Sequence, residues 1–129
     1  MNSYNLGLIK ALVSLMVLDY LYLSTSSGIF KKIIEDVQKS KFKIKVYPTI
    51  VVYILIFFMW MKFIYSVKNR YSLKENIKRG FLLGFFTCGV FEFTNYAIFT
   101  KWTLQGVIMD TIWGGILYAL ITFFSLYKF

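Results

Sequence analysis

The chain has 129 residues, of which 58% are hydrophobic, 21% aromatic and only 16% charged. A soluble domain of this size exposes much surface per unit volume, and about 25% of its residues are normally charged. One Pro and eight Gly are too few for a disordered or linker-like chain. The composition therefore argues against both classes and predicts a single-domain membrane protein.

The net charge of +9 first suggests a nucleic-acid partner. The basic residues, however, concentrate in two runs, residues 31–45 and 68–79, and each run lies between apolar stretches. Positive loops beside anionic lipid headgroups explain this arrangement. We therefore expect a lipid bilayer as the partner, multi-pass insertion and no nucleic acid. The sequence does not indicate which membrane holds the protein.

Four apolar segments are each close to the ~20 residues that cross a ~30 Å hydrocarbon core. They cover about residues 6–24, 48–65, 80–99 and 104–127. Because lipid offers no partners for backbone N–H and C=O groups, each segment must be an α-helix. The predicted fold class is all-α, an integral membrane four-helix bundle that forms one domain over residues 1–129. Apolar residues continue the first segment beyond Asp19, so we expect a transmembrane helix there rather than a cleaved signal peptide.

Between the first two spans, apolar residues recur at three- and four-residue spacing with charged residues among them. The apolar positions are Ile29, Phe30, Ile33, Ile34 and Val37. This pattern predicts an amphipathic helix over about residues 27–39, lying in the headgroup plane as an interfacial helix. A plain solvated loop helix is the alternative.

Loop charge does not fix the orientation in the membrane. We call side A the face that holds the N-terminus, residues 68–79 and the C-terminus, and side B the opposite face. Side A carries eight basic residues, namely Lys10, Lys62, Lys68, Arg70, Lys74, Lys78, Arg79 and Lys128. Side B carries seven, namely Lys31, Lys32, Lys39, Lys41, Lys43, Lys45 and Lys101. The positive-inside rule cannot choose between these totals.

Three of the six acidic residues lie inside apolar spans: Asp19 in the first, Glu92 in the third and Asp110 in the fourth. A carboxylate near a helix centre costs about 2.5–3.5 kcal/mol or more, so each needs a compensating interaction. At a helical rise of ~1.5 Å per residue, the three lie about 20, 18 and 21 Å from side A. The sequence thus predicts one layer of carboxylates, shared by three helices and offset toward side B.

Small and polar side chains share helix faces with these acids. The predicted supporting side chains are Tyr22, Cys88, Thr94, Asn95 and Trp113. Small residues at four-residue spacing let helix backbones approach closely. The predicted packing residues are Gly80, Gly84, Gly106 and Gly114. From Ile50 to Met61 the second span carries only apolar groups, Tyr53 and Trp60, so we expect this span to be the most lipid-exposed.

Ionised carboxylates a few ångströms apart in a low dielectric would repel, so we expect a bound proton or cation among Asp19, Glu92 and Asp110. Oxygen ligands favour hard cations such as Na⁺, Mg²⁺ or Ca²⁺ over soft metals. The chain has no histidine, so we expect no His/Cys metal site. No lysine lies deep in a span, so we expect no retinal, and no other cofactor. The alternative is that protonated acids only hold the bundle together.

Five parts of the sequence carry a resemblance to a family: Asp19-Tyr20-Leu21-Tyr22-Leu23, Arg79-Gly80-Phe81-Leu82-Leu83-Gly84, Glu92-Phe93-Thr94-Asn95-Tyr96-Ala97, Trp102 and Asp110-Thr111-Ile112-Trp113-Gly114. They resemble the Asp-x-x-Trp-Leu, Asp-x-Thr-Asn and Asp-x-x-Trp-Gly motifs of an uncharacterised family of predicted four-helix membrane proteins. The resemblance is loose in the first loop and the second span. Tyr22 stands where the family usually has Trp, and Glu92 where it usually has Asp. The resemblance implies a four-helix fold and a shared polar site, and it supplies no activity.

The leading functional hypothesis is a small channel or carrier that handles protons or cations through the three carboxylates. A single four-helix bundle is too thin to enclose a wide water path, so we expect a homo-oligomer. One alternative is a membrane-embedded enzyme acting on lipid, with carboxylates as acid and base or as Mg²⁺ ligands. Another is an accessory or scaffold subunit of a larger membrane complex. The sequence does not decide whether the protein is an enzyme, although it favours the non-enzymatic alternatives.

Overall fold

The computed structural model describes residues 2–128 and contains four α-helices in that part of the chain. Their bounds are α1 Ser3–Gln38, α2 Val46–Phe63, α3 Leu73–Ile98 and α4 Leu104–Leu126, with a 3₁₀ turn at Tyr65–Arg70 after α2. All four are long and apolar enough to cross a membrane. The prediction of an all-α, four-helix membrane fold is confirmed.

The first helix is the element that differs most from its predicted form. It runs for 36 residues without a break, about 54 Å at the usual rise, whereas the hydrocarbon core is ~30 Å thick. The amphipathic segment predicted at residues 27–39 is helical, and it continues α1 as its last turns instead of starting a separate helix.

Local hydrogen bonds and packing explain this continuity. The Ser24 hydroxyl donates to the Tyr20 carbonyl at 2.8 Å, and the Ser26 hydroxyl donates to the Tyr22 carbonyl at 2.7 Å. Serines bonded back in this way stay inside a helix instead of capping a new one. Further along, Ile33 is only 4% exposed and packs where Gly106 leaves room at the start of α4. The apolar stripe therefore packs against the bundle.

Both ends of the first loop are set by local bonds. Lys39 adopts a left-handed conformation with φ 56° and donates its N–H to the Glu35 carbonyl at 2.8 Å, which ends α1. The Glu35 side chain accepts the Phe42 N–H at 2.6 Å and folds the chain toward α2. Pro48 lies in the first turn of α2, where its missing N–H is tolerated.

The third helix starts before the apolar run that predicted it. Ser72 caps it by accepting the Glu75 N–H at 3.2 Å, and Glu75 lies in its first turn. A Ser followed three residues later by Glu is a capping-box sequence, and the carboxylate also suits the positive end of the helix. The helix therefore gains about two turns ahead of Gly80.

Helix α4 is the centre of the bundle, because it packs against both α3 and α1. A Cβ on Gly84 of α3 would overlap the Gly114 carbonyl of α4, so only glycine permits this approach. On the other side, the Ser125 hydroxyl of α4 donates to the Gly7 carbonyl of α1 at 2.8 Å. The main apolar cluster lies in the side A half and comprises Ala11, Leu15, Trp60, Ile64, Tyr65, Leu117, Tyr118 and Ile121.

The second helix is attached to the others through Tyr53 and Trp60. Trp60 is 1% exposed and donates its indole N–H to the Thr122 hydroxyl at 3.0 Å, while Tyr53 donates to Asp19. Within α2 only Trp60 is buried, whereas α3 buries Asn76, Gly80, Gly84 and Glu92. A lone Trp or Tyr in lipid seeks a polar partner, which explains these two attachments. That this span is the most lipid-exposed stays a prediction.

Candidate functional site

Two carboxyl groups meet between α3 and α4. Glu92 of α3 is 2% exposed, and its carboxyl group lies within hydrogen-bonding reach of Asp110 of α4. The Trp102 indole N–H, from the loop joining the two helices, donates to Glu92 Oε1 at 3.1 Å. Glu92 thus has a neutral donor on one side and a second acid on the other.

The third intramembrane acid, Asp19 of α1, joins three helices. Its Oδ1 accepts the Trp113 indole N–H of α4 at 3.2 Å, and its Oδ2 accepts the Tyr53 hydroxyl of α2. Both carboxylate oxygens are therefore occupied by uncharged donors. The indole and the phenol carry no charge, so neither bond is a salt bridge.

A pair of stacked rings connects Asp19 to the other two acids. Tyr22, one turn beyond Asp19 on α1, stacks on Trp113 with ring centroids 4.6 Å apart and an interplanar angle of 2°. The Tyr22 hydroxyl is buried without a well-formed hydrogen bond and faces Asp110 and Ser26. The three acids and two rings consequently form one polar layer across the bundle.

Cys88 and Thr111 complete the surroundings of this layer. Cys88 is a free, half-buried cysteine that lies near all three acids. Its sulfur occupies the space that a side chain on Gly114 would need. Thr111 follows Asp110 on α4, and its hydroxyl oxygen is buried without a partner. Buried polar atoms are normally paired, so unpaired ones beside carboxyl groups are suitable positions for water.

Two predicted supporting residues stand apart from the acids. Thr94 is exposed and Asn95 is half-buried, and in the described part of the chain neither side chain is hydrogen-bonded to a carboxylate. The predicted supporting residues Tyr22, Cys88 and Trp113 do lie in the layer. One helix face can hold several polar residues of which only some point at a given neighbour.

Two residues of the layer, Tyr53 and Trp102, were not among the predicted site residues. Tyr53 lies in the otherwise apolar stretch 50–61, whose other polar aromatic residue is Trp60, and a phenol in that position needs a partner. Trp102 is one of the residues that carry the family resemblance. It lies in a loop, however, where helical periodicity gives no information about its neighbours. Only the fold shows that it reaches back to Glu92.

The four predicted packing glycines all lie at helix contacts. Gly84 and Gly114 face each other across α3 and α4, and Gly80 faces Thr122 and the Tyr118 carbonyl. Gly106 instead faces Phe30 and Ile33 of α1.

The acids divide into a pair and a single residue. Within residues 2–128, no group of three or more His, Cys, Asp or Glu side chains is arranged to hold a metal ion. Asp19 uses its oxygens on Tyr53 and Trp113, while Glu92 and Asp110 face each other.

Comparison with known families agrees with this architecture. A family model described as predicted membrane protein (DUF2177) matches residues 4–127. The chain belongs to this family. It is therefore an integral, multi-pass membrane protein whose helices contact the lipid bilayer. No curated protein and no solved structure matches the chain significantly.

Proposed function

We propose that this member of the family is a small proton-handling membrane transport protein, and that the Glu92–Asp110 pair binds and releases the proton. The observation that carries the proposal is the contact between these two carboxyl groups inside an apolar bundle. Ionisable residues at such depth are costly and usually mark ion or proton pathways.

The chemistry of the pair favours a shared proton. Two negative charges within hydrogen-bonding reach repel strongly where the dielectric is low, whereas one proton between them replaces repulsion by a hydrogen bond. Among the described residues, the side chains that bear directly on Glu92 are Asp110 and Trp102, and neither is cationic. The pair would therefore take up a proton instead of relying on a salt bridge.

The surroundings supply groups that support proton movement. The Tyr22 hydroxyl faces Asp110, and Thr111, the next residue along α4, has a buried hydroxyl oxygen without a partner. Asp19 is a second acceptor at the other end of the stacked rings. Hydroxyl groups and intervening water can relay a proton where no histidine exists.

A proton is favoured over a hard cation as the transported species. Ca²⁺ takes six to eight oxygen ligands and Mg²⁺ takes six, several of them usually waters, and no group of three acids among residues 2–128 is arranged to hold such an ion. Both oxygens of Asp19 already accept hydrogen bonds, from Tyr53 and Trp113. Two carboxyl groups suffice for a proton. The transported species, its direction and the predicted homo-oligomer all remain parts of the proposal.

Proton flux into proteoliposomes tests the proposal. Vesicles with a pH-sensitive dye inside would receive the purified chain, and a potassium diffusion potential would drive protons inward. We expect acidification with the wild-type chain, and the rate of protein-free vesicles with Glu92→Gln or Asp110→Asn. Glu75→Gln is the matched control, because it removes a carboxylate from the first turn of α3 outside the layer.

Unchanged flux in both Glu92→Gln and Asp110→Asn would overturn the proposal. Circular dichroism and size-exclusion chromatography of each variant would show that the helices and the bundle are intact. Lipid turnover that depends on the acids would instead favour the membrane-enzyme alternative.

A further inference from the structure

A second polar region lies at the side A end of the bundle, far along the helices from the carboxylate layer. The start of α1, the 3₁₀ turn and the end of α4 enclose a cavity of about 440 Å³. Its charged lining consists of Lys10, Lys68 and Lys128. Three lysines from three separate elements therefore face one space.

A smaller cavity of about 220 Å³ adjoins it. The two share Lys68, Asn69, Leu126 and Lys128, and the smaller one also reaches Asn76 of α3. No Asp or Glu is among the described residues that line either cavity. The combined space is consequently basic.

Fixed contacts hold two of these ammonium groups at the cavity wall. Lys68 Nζ lies 4.5 Å from the Tyr65 ring centroid and 5.4 Å from the Tyr4 ring centroid. Lys10 Nζ donates to the Tyr127 carbonyl at 3.0 Å. Cation–π contact with a tyrosine orients an ammonium group without cancelling its charge, so Lys68 can still bind an anion.

Asn76 provides an independent indication of a ligand. It is 2% exposed, and its Nδ2 donates to the Lys68 carbonyl at 2.9 Å, which fixes the orientation of the amide. Its Oδ1 is buried with no partner. A buried acceptor left unpaired is costly, so a donor from a bound group would stabilise it.

The position of the cavities suits a lipid. They lie at helix ends, where the headgroup region begins, and Tyr4, Tyr65 and Tyr127 line the larger one, as tyrosines commonly do at this level. Leu6 and Leu126 give the same cavity an apolar wall. Basic pockets between transmembrane helices characteristically bind anionic headgroups.

We infer that these adjoining cavities bind the headgroup of an anionic glycerophospholipid. Its phosphate lies beside the ammonium groups of Lys68 and Lys128, which line both cavities, and a headgroup hydroxyl donates to Asn76 Oδ1. Phosphatidylglycerol carries both groups. The inference is independent of proton transport by the acids.

Lipid binding to the purified full-length chain tests it. Native mass spectrometry in detergent would compare phosphatidylglycerol with phosphatidylcholine, which has a phosphate but no net charge, and with inorganic phosphate. We expect preferential retention of phosphatidylglycerol, weakened about tenfold by Lys68→Gln with Lys128→Gln. Lys43→Gln with Lys101→Gln is the matched control, because both lysines are exposed on side B.

Three outcomes would overturn the inference. They are equal retention of the two lipids, equal losses in the two double variants, and binding of inorganic phosphate with no preference for phosphatidylglycerol. Lys68→Arg with Lys128→Arg should restore retention, which would show that the Gln pair lost charge and not the fold.

Discussion

Two of the three carboxyl groups in the bilayer core, those of Asp19 and Glu92, accept hydrogen bonds from aromatic side chains. Asp19 accepts from Tyr53 and Trp113, and Glu92 accepts from Trp102. A Tyr or Trp satisfies an oxygen through its polar edge, while its ring remains compatible with lipid and neighbouring apolar groups. Because these donors are neutral, they hold the acids in position without forming salt bridges. The proposed proton binding requires such neutral donors, because a salt bridge would oppose it.

The bond between Tyr53 and Asp19 gives a prediction at the residue scale. Tyr53→Phe removes only the hydroxyl, and we expect it to lower the free energy of unfolding by about 1 kcal/mol, the usual scale for such bonds in membrane proteins. Unfolding in mixed detergent micelles, followed by circular dichroism, measures this. Tyr47→Phe is the control, because Tyr47 is 79% exposed near the start of the same helix. Equal effects of the two substitutions would show that the bond adds no stability.

At the scale of elements, the contact between α3 and α4 positions the acid pair. Gly84 and Gly114 bring the two backbones together on the side A flank of Glu92 and Asp110. This close approach lets side chains from facing helices meet across the interface. The packing of α3 on α4 therefore positions the two carboxyl groups against each other.

Two glycines allow a matched test of that contact. A Cβ at Gly84 would overlap the Gly114 carbonyl, whereas a Cβ at Gly28 of α1 would meet nothing within 4 Å. We expect Gly84→Ala to destabilise the fold by about 2 kcal/mol or more through overpacking. Gly28→Ala should be neutral or stabilising by up to about 1 kcal/mol, since Ala favours helix. The same micelle unfolding assay applies, and a Gly84→Ala variant as stable as Gly28→Ala would contradict the packing argument.

The bounds of a helix could be predicted from sequence wherever the helix coincides with an apolar run. Helix α4 begins at the predicted residue and ends one residue before its predicted end, because the apolar run and the helix coincide there. Helix α3 begins earlier, at a Ser72–Glu75 capping box outside the apolar run. Continuity of α1 depended on Ile33 packing against α4, which is a tertiary contact. Hydropathy identifies segments long enough to cross the lipid core, and it does not detect such tertiary contacts.

The same limit applies to the site. Asp19, Glu92 and Asp110 stand out in sequence because charge in an apolar span is costly. Tyr53 and Trp102 do not, since aromatic residues are frequent in this chain and their partners lie 34 and 10 residues away. Helical periodicity also placed Asn95 on the same face as Glu92. In the described part of the chain, however, the Asn95 side chain is not hydrogen-bonded to a carboxylate, whereas Glu92 accepts the Trp102 indole N–H. A shared helix face reduces the number of candidate site residues, and only the contacts in the structure select among them.

The whole molecule has two chemically different ends. Its main apolar cluster and its lysine-lined cavities lie toward side A, whereas the acid pair lies toward side B. Glu92 is six residues before the end of α3, about 9 Å at the helical rise, and Trp102 reaches it from the side B loop. The acid pair therefore lies closer to side B than to side A.

The central claim is that Glu92 and Asp110 share a proton within the bundle, and infrared spectroscopy of the chain in lipid vesicles tests it most directly. The C=O stretch of a protonated carboxyl is distinct from the bands of a carboxylate. At neutral pH we predict a protonated-carboxyl band in the wild type and in Glu75→Gln, and its loss in Glu92→Gln and in Asp110→Asn. A wild-type spectrum without that band, or a band that survives both substitutions, would contradict the account.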